Sequence, residues 1–477
     1  MKTSKIGLFL GPLSFVLLFL MKTPEGMSVE AQAVLACTSW IAIWWMTEAI
    51  PIAATALLPL VIFPLTGAVS MKLTSEAYGH PYIFLFVGGF IIAKSIERWN
   101  LHKRIALGII YIIGSNVNSI VLGFMIATAF LSMWISNTAT SVMMLPIGLA
   151  IISQVERSGE LTSKQQNVFG KVLMLAIAYS ASIGGIATLI GTPPNLVLAG
   201  ILEETFAIEI TFERWLAIGL PFSIVMLFIC WWYLTRISFS VDGMKLPGGK
   251  KEIAAQLKKL GNISYEEKMV GVVFGITAFA WVTKSFVLEK IFPSINDTII
   301  AMTGAIVLFL IPSKSRKGGL IYWKEAVELP WGVLMLYGGG LSIAAAFQSS
   351  GLATWIGEQM NVIEGLSLFL MIFIIVSLVN FLTELTSNLA TTAMLLPILA
   401  SMAVALDINP FYFMVSAAMA ASCAFMLPVA TPPNAVVFGS GKLKMKDMIG
   451  AGIWMNIISI LIISLLIYFI LPILWGF

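Results

Sequence analysis

The chain has 477 residues, of which 59% are hydrophobic and only 11% are charged, with a formal net charge of +4. A soluble protein carries about a quarter charged residues, so this composition excludes a soluble globular domain and indicates a polytopic membrane protein. The three cysteines, Cys37, Cys230 and Cys423, lie far apart in apolar runs and form no metal or redox motif.

The first predicted element is a membrane helix over residues 6–21. A basic start followed by an apolar stretch is also typical of a signal peptide. However, no small-residue cleavage site follows directly, and Lys22 and Pro24 come next. We therefore interpret this segment as a membrane helix.

Eleven apolar runs approach the roughly 20 residues that a helix needs to cross a bilayer. They cover residues 6–21, 30–48, 51–67, 82–97, 171–190, 214–235, 268–288, 296–312, 329–350, 410–428 and 449–475. Two further stretches, 118–153 and 366–400, each carry a Ser-Asn pair near the middle. Each fits either a re-entrant hairpin or one full span with a long tail, and the position of Ser-Asn at the tip favours the hairpin. The prediction is an all-α fold of about 11 transmembrane helices plus two re-entrant hairpins.

The distribution of basic residues gives an orientation. With a cytoplasmic N-terminus and an external C-terminus, the cytoplasmic segments hold 23 of the 28 Lys and Arg residues, and positive charge favours that side. These segments are 1–5, 94–117, 154–171, 236–268, 313–324 and 441–448. The loop 236–268, with Lys245, is predicted to contain a helix from about 250 to 260, whose basic face lies either on anionic lipid or in solvent.

One pair of polar motifs occurs twice. Residues 134–148 read WISNTATSVMMLPIG and residues 385–398 read LTSNLATTAMLLPI, followed by GTPPN at 191–195 and ATPPN at 430–434. Ser136 and Ser387 are 251 positions apart, as are Leu101 and Leu352. Each unit holds five crossings, an odd number, so the two units have opposite orientations. This is the inverted-repeat plan of secondary transporters, whose substrate site lies at the repeat interface.

The chemistry of these motifs points to ion binding. Broken helices at membrane depth survive where they line a cavity, and neither pair of motifs contains Lys or Arg. Side-chain oxygens and helix N-termini would meet an anion, while oxygen-only ligands suit a hard cation such as Na⁺. The candidate oxygens belong to Ser132, Ser136 and Asn137 in the first unit and to Thr383, Thr386 and Asn388 in the second. Gly191 and Ala430 precede the prolines, where the helix must break and carbonyls are left free.

Two alternatives remain at individual residues. A Ser, Thr or Asn in a membrane helix is often a packing contact between helices, but that explanation does not call for paired TPPN breaks. Glu384, an ionisable residue without a counterpart in the first unit, is either a helix-end stabiliser or a cation-related group. A channel would need a continuous polar stripe and an intramembrane enzyme a catalytic dyad or HExxH motif, and the spans contain neither.

The motifs SNT at 136–138, SN at 387–388 and the two TPPN words resemble those of the divalent anion/sodium symporter family, which carries dicarboxylates and citrate. The resemblance covers nearly the whole chain. It implies an elevator-type transporter, a homodimer in the cytoplasmic membrane, that symports Na⁺ with dicarboxylates of the succinate, malate and fumarate class. No nucleic-acid partner and no enzymatic activity are expected. A sodium-independent exchanger and a citrate- or sulfate-type transporter of the same family are the alternatives.

The family's site residues map onto this sequence by motif. The resemblance implies one sodium ion at Ser132, Ser136, Asn137 and Gly191, and a second at Thr383, Thr386, Asn388 and Ala430. It implies substrate contacts at Asn137, Thr138, Thr192, Pro193, Ser387, Asn388, Thr431 and Pro432. Where the family's second motif often has threonine, this chain has Leu389, which either makes one carboxylate site weaker or fills a helix seam.

The resemblance also implies a division into a fixed scaffold and a moving transport domain. The scaffold would comprise residues 1–117 and 269–365, and the transport domain residues 118–235 and 366–477. Residues 236–268 would form a cytoplasmic loop between them.

Overall fold

The computed structural model describes residues 2–114, 116–158, 161–241, 244, 249–359 and 365–477. In these ranges the regular structure is helical, apart from one isolated antiparallel bridge between Pro312 and Gly319. Within the same ranges, nine helices are long and apolar enough to cross a membrane: Val29–Thr47, Met71–Arg98, Asn137–Arg157, Ser163–Ile186, Phe212–Ser238, Tyr265–Ile291, Trp331–Ser349, Asn388–Ala405 and Met445–Trp475. Shorter apolar helices are Ser4–Leu20, Ile52–Thr66, Val117–Ser132, Asp297–Leu310, Leu368–Leu382 and Phe411–Ala421. The prediction of an all-helical polytopic membrane protein is confirmed.

Helices lie at all of the predicted spans, but three of them differ in form. The helix predicted at 410–428 ends at Ala421, where break 2 begins. The run 51–67 is divided into Ile52–Thr55 and Pro59–Thr66, because Pro59 has no N–H with which to continue the first helix. The helix predicted from residue 171 begins earlier, at Ser163, where Thr162 and Gln165 form a capping box. The helix expected at 250–260 is present as Gly249–Lys259, whereas Lys245 lies outside the described residues.

The two halves of the chain repeat one order of helices. The first half contains Pro81–Arg98, Leu101–Ile113, Val117–Ser132, Asn137–Ser158, Ser163–Ile186, Pro193–Phe206 and Phe212–Trp232. The second half contains Trp331–Ser349, Leu352–Glu358, Leu368–Thr383, Asn388–Ala405, Phe411–Ala421, Pro432–Phe438 and Met445–Leu465. Helix pair 1 denotes Val117–Ser132 with Asn137–Ser158, and helix pair 2 denotes Leu368–Thr383 with Asn388–Ala405. Break 1 denotes residues 187–192 and break 2 denotes residues 422–431.

Packing interlocks the two repeats through these breaks. Ser163–Ile186, before break 1, packs on both members of helix pair 1, and Phe411–Ala421, before break 2, packs on both members of helix pair 2. After each break the chain crosses to the other repeat. Pro193–Phe206 packs on Asn388–Ala405, and Pro432–Phe438 packs on Asn137–Ser158. Each helix pair therefore packs on the helix before the break of its own repeat and on the helix after the break of the other.

Polar contacts at the helix ends join loops that the sequence places on the same side. Segments predicted to be cytoplasmic are linked by Lys171–Asp447 at 2.9 Å, Lys442–Glu156 at 2.7 Å and Arg104–Glu267 at 3.1 Å. The ends predicted to lie outside, whether span ends or external loops, are linked by Lys284–Asp297 at 3.3 Å and by hydrogen bonds from Gln348 Nε2 to Thr205 O and from Trp355 Nε1 to Glu25 O. These contacts agree with the predicted order of crossings.

Candidate functional site

The first polar motif places a small set of oxygens at the turn of helix pair 1. Oγ of the fully buried Ser132 lies 2.6 Å from the side-chain amide of Asn137 and 2.7 Å from the carbonyl oxygen of Ala181. Ser132 ends the first helix of the pair and Asn137 begins the second, so the turn between them folds the two side chains together. Ala181 belongs to the helix that leads into break 1.

The amide of Asn137 faces three oxygens at once. The amide atom nearest Ser132 also lies 3.2 Å from the carbonyl oxygens of Gly191 and Ala181. A nitrogen in that position donates to all three oxygens. An oxygen there would instead complete a set of four oxygen ligands, the ligand type that suits a hard cation. The three oxygens that accept from the Asn137 amide nitrogen could therefore also coordinate a cation.

Two glycines allow this close approach. A Cβ atom on Gly185 would lie 2.5 Å from the amide atom of Asn137 that faces Ser132, and a Cβ atom on Gly191 would lie 2.4 Å from the Gly185 carbonyl oxygen. Both contacts are shorter than atoms tolerate, so any side chain at either position would push the oxygens apart. The absence of side chains at Gly185 and Gly191 therefore lets this backbone pack directly against Asn137.

Helix pair 2 repeats the arrangement with different residues. Oγ1 of the buried Thr383 lies 2.9 Å from Oδ1 of Asn388 and 3.0 Å from the carbonyl oxygen of Ala421. Thr383 and Asn388 lie 251 positions after Ser132 and Asn137. The structure thus builds the same hydroxyl–amide–carbonyl set twice, once in each repeat.

Not every predicted cation ligand joins these sets. Oγ of Ser136 is exposed and accepts from the Ala139 N–H at 3.3 Å. Oγ1 of Thr386 donates to the Leu382 carbonyl oxygen at 2.9 Å and lies 2.5 Å from Oγ1 of Thr391. The sets of oxygens in contact are therefore those of Ser132, Asn137, Ala181 and Gly191, and of Thr383, Asn388 and Ala421.

The TPPN motifs start helices in both repeats. Thr192 and Thr431 are extended N-cap residues, and the prolines that follow them occupy the first helical turn, where no N–H is needed. Both threonines are 3% exposed, whereas Pro193 is partly exposed and Pro432 is exposed. Thr431 Oγ1 accepts from the Asn434 N–H at 3.3 Å, but Thr192 makes no side-chain capping bond.

The Ser-Asn motifs begin the second helix of each pair. Thr138 is exposed, and Asn137, Ser387 and Asn388 are partly exposed. Unpaired N–H groups and partial positive charge at such helix starts favour an anion. Leu389 differs from its partner Thr138, because it is 7% exposed and belongs to the apolar core. Its burial favours the helix-seam interpretation.

The environment of Glu384 accounts for this buried carboxylate. It accepts hydrogen bonds from the N–H groups of Phe425, Met426 and Leu427 at 2.7–3.0 Å and from Nδ2 of Asn456 at 2.7 Å. Four donors satisfy an ionised carboxylate without a cationic side chain. Glu384 therefore ties the end of Leu368–Thr383 to break 2, which supports the stabiliser interpretation.

The first repeat makes the corresponding link in reverse. There Oγ1 of Thr188, in break 1, donates to the carbonyl oxygen of Met133 at 2.5 Å. Met133 corresponds to Glu384, and Thr188 corresponds to Leu427 at an offset of 239 positions. In both repeats the turn of a helix pair is thus hydrogen-bonded to the neighbouring break.

Sequence reasoning missed two residues that hydrogen-bond to the breaks, Asn195 and Asn434. Each is the last residue of a TPPN motif, each is fully buried, and each donates its side-chain amide to carbonyl oxygens of its own break. Their repetition was the available signal, but the positions of the acceptors were not visible in the sequence.

Comparison with known proteins gives one consistent result. The sodium:sulfate symporter transmembrane region matches residues 2–475. A sodium-dependent dicarboxylate transporter SdcS of Staphylococcus saprophyticus is 49% identical over 473 residues, which cover 98% of this chain and 91% of that protein. The protein of the same name from Staphylococcus aureus strain COL is 49% identical over 477 residues, covering 99% and 92%. The resemblance inferred from the motifs is thereby confirmed, and the chain belongs to the sodium:sulfate symporter family of membrane transporters.

Proposed function

We propose that the protein is a sodium-coupled symporter of dicarboxylates of the succinate, malate and fumarate class in the cytoplasmic membrane. The observation that carries this proposal is the hydroxyl–amide–carbonyl set built once in each repeat, with no Lys or Arg in the surrounding motifs. The names of the relatives that cover nearly the whole chain support the same function. Na⁺ is co-transported cargo in this proposal rather than a resident cofactor.

Each oxygen set would hold one sodium ion. The contacting oxygens of Ser132, Asn137, Gly191 and Ala181 would form site 1, and the Ser136 hydroxyl would turn to join them. Those of Thr383, Asn388 and Ala421 would form site 2, and the Thr386 hydroxyl and the Ala430 carbonyl would move to join them. On sodium binding the Asn137 amide would turn its oxygen toward the ion, which replaces the hydrogen bonds that the amide nitrogen makes to the same oxygens.

The dicarboxylate would lie between the two sodium sites. One carboxylate would meet Asn137, Thr138, Thr192 and Pro193, and the other Ser387, Asn388, Thr431 and Pro432. Hydroxyl and amide donors, helix starts and the bound ions would supply the positive potential that a dianion needs.

We infer an elevator mechanism of eleven spans and two re-entrant hairpins from the interlocked repeats. Val117–Ser132 has 16 residues, and a helix of that length rises about 24 Å, less than the roughly 30 Å of a bilayer core. The ion pairs Lys171–Asp447 and Lys442–Glu156 tie residues 118–235 to 366–477, the transport domain of the proposal. Residues 1–117 and 269–365 would form the scaffold and the homodimer interface, with the N-terminus in the cytoplasm.

Uptake of labelled succinate into proteoliposomes tests the function directly. A sodium gradient is expected to drive uptake, and excess malate or fumarate is expected to compete, whereas a monocarboxylate is not. Equal uptake in choline and sodium buffers would replace the symporter with a sodium-independent exchanger. Sodium-driven uptake of citrate or sulfate in place of succinate would instead change the substrate class.

Gly185→Ala is expected to raise the sodium concentration for half-maximal uptake roughly tenfold, because the new Cβ displaces Asn137 and weakens a charge-assisted contact. Gly275→Ala is the matched control, since no heavy atom lies within 4 Å of a Cβ built there and alanine suits a helix better. Sodium titrations of uptake by the two purified variants provide the comparison. Identical sodium dependence in both would contradict the fit between Gly185 and Asn137.

Leu389→Thr is expected to leave the half-saturating succinate concentration unchanged and to lower the apparent melting temperature. The side chain is 7% exposed, and a buried hydroxyl costs about 1–3 kcal/mol where it finds no partner. Leu385→Thr is the control for stability, because Leu385 is 72% exposed. Markedly tighter succinate binding by the Leu389 variant would show that the leucine limits a carboxylate site.

A further inference from the structure

Some of the carbonyl groups at each break accept from a buried asparagine of the TPPN motif, while others face a helix pair. A helix that ends leaves the carbonyls of its last turn without intrahelical donors. At the end of Ser163–Ile186 and in break 1, the carbonyl oxygens of Gly185, Ile186 and Thr188 accept from Nδ2 of Asn195 at 3.4, 3.3 and 2.7 Å. Asn195 shares this helix end with Trp215, whose Nε1 donates to the Ile186 carbonyl oxygen at 2.9 Å, and it is the side chain that reaches the Gly185 and Thr188 carbonyl oxygens.

Break 2 uses the same device. The carbonyl oxygens of Ala424 and Leu427 accept from Nδ2 of Asn434 at 3.3 and 3.0 Å. Asn434, Ala424 and Leu427 lie 239 positions after Asn195, Gly185 and Thr188. Gly185 corresponds to Ala424 and Thr188 corresponds to Leu427, so the side chains differ between the repeats. The hydrogen bonds from the asparagine to these carbonyl oxygens are repeated.

Three other carbonyls, those of Gly191, Ala181 and Ala421, face the helix pairs. In break 1 and the helix before it, the Gly191 and Ala181 oxygens lie beside the Asn137 amide. In the second repeat the Ala421 oxygen lies beside Thr383. The asparagine side chains thus hold one group of carbonyls, while another group points at the hydroxyl–amide set.

Both asparagines act only as donors. Each is 0% exposed, and within the described residues neither Oδ1 atom has a hydrogen-bond partner. An aspartate would keep the shape and lose the donor. The amide N–H groups are therefore the property of Asn195 and Asn434 that the breaks use.

We propose that Asn195 and Asn434 are positioning residues for sodium binding, each by holding the carbonyls of its break away from the ion. Carbonyl dipoles fixed in this way leave Gly191 and Ala181 in the first repeat, and Ala421 in the second, to face the cation. The proposal rests on the proposed sodium-coupled function. It assigns the asparagines no contact with either ion or substrate.

The test compares sodium and succinate dependence in Asn195→Ala and Asn434→Ala. In proteoliposomes, the sodium concentration for half-maximal uptake is expected to rise about tenfold, the effect of losing roughly one to two hydrogen bonds. The half-saturating succinate concentration at saturating sodium is expected to stay near that of the parent. The rise in apparent melting temperature on adding NaCl to the purified protein, with choline chloride as reference, is expected to shrink in both variants.

Matched controls remove other buried hydrogen bonds to the same helices. Ser223 Oγ donates to the Ile183 carbonyl oxygen at 2.8 Å, and Ser416 Oγ donates to the Tyr412 carbonyl oxygen at 2.5 Å. Ser223→Ala and Ser416→Ala are expected to keep the parental sodium dependence. Where an alanine variant yields too little protein, Asn195→Asp and Asn434→Asp, which keep the volume but remove the donor, supply the measurement and are expected to weaken sodium binding.

Three outcomes would overturn the assignment. Unchanged sodium dependence in the asparagine variants would do so, as would equal losses of sodium and succinate affinity, which indicate general damage. Aspartate variants that bind sodium more tightly than the parent would show that the side chain is itself an ion ligand. A parent protein without sodium dependence would instead overturn the proposed function, so the two failures are distinguishable.

Discussion

Asn137→Ala and Asn388→Ala are each expected to reduce sodium-driven succinate uptake by roughly tenfold to a hundredfold, because each removes a contact to a charged ligand worth about 1.5–3 kcal/mol. The amide of Asn137 lies at the centre of one oxygen set, and Oδ1 of Asn388 lies 2.9 Å from Thr383 Oγ1 in the other. Initial rates in proteoliposomes at several sodium concentrations measure the effect. Raising sodium is expected to restore part of the rate.

Asn262→Ala is the matched control for these two variants. Asn262 is exposed and lies between Gly249–Lys259 and Tyr265–Thr283, far along the chain from either helix pair. Its uptake is expected to equal that of the parent. If Asn137→Ala or Asn388→Ala retained parental rates at low sodium, the corresponding amide would not be a sodium ligand.

Glu384→Ala is expected to destabilise the protein by about 3 kcal/mol or more, since it leaves several buried donors without an acceptor at about 1–3 kcal/mol each. These donors are the N–H groups of Met426 and Leu427 and the Asn456 amide, whereas the Phe425 N–H keeps Asn456 Oδ1 as an acceptor at 3.2 Å. A lower apparent melting temperature and a smaller yield of monodisperse protein in detergent are the measurements. Break 2 carries Ala430, so sodium binding is expected to weaken as well.

Glu384→Gln separates hydrogen bonding from charge. The glutamine oxygen retains an acceptor for Phe425 and Met426, while its amide nitrogen faces the Leu427 N–H, so an intermediate loss of stability is expected. Glu30→Ala, in the exposed first turn of Val29–Thr47, is expected to have little effect. A glutamine variant of parental stability with abolished sodium dependence would favour the cation-related role of Glu384.

Duplication in the sequence made the main contacts of the site predictable. The equal spacing of Ser132 and Asn137 and of Thr383 and Asn388 placed a hydroxyl and an amide on either side of each turn, and the structure brings both pairs into contact. The breaks at the TPPN motifs were predictable for a local reason, because proline ends the preceding helix. Apolar run lengths likewise located the membrane helices.

Details that depend on distant contacts were not predictable. The backbone N–H groups that donate to Glu384 lie 41–43 residues further along the chain. Their direction depends on the backbone conformation of break 2, which the sequence does not reveal. Thr386 turns to Thr391 within its own helix pair, a choice of rotamer that residue type does not fix. The division of 51–67 into two helices could have been predicted from Pro59, but the continuous apolar run suggested a single helix.

The crossing of each broken helix into the other repeat also constrains how the protein is made. Asn137–Ser158 leaves the ribosome long before Pro432–Phe438, the helix that covers it, and at about 5–20 residues per second the wait is tens of seconds. During that time the face of Asn137–Ser158 that packs on Pro432–Phe438 is uncovered in the bilayer. Nascent chains stopped before residue 432 are therefore expected to be held by insertion chaperones or degraded by membrane proteases, and the two halves become a stable unit only after translation is nearly complete.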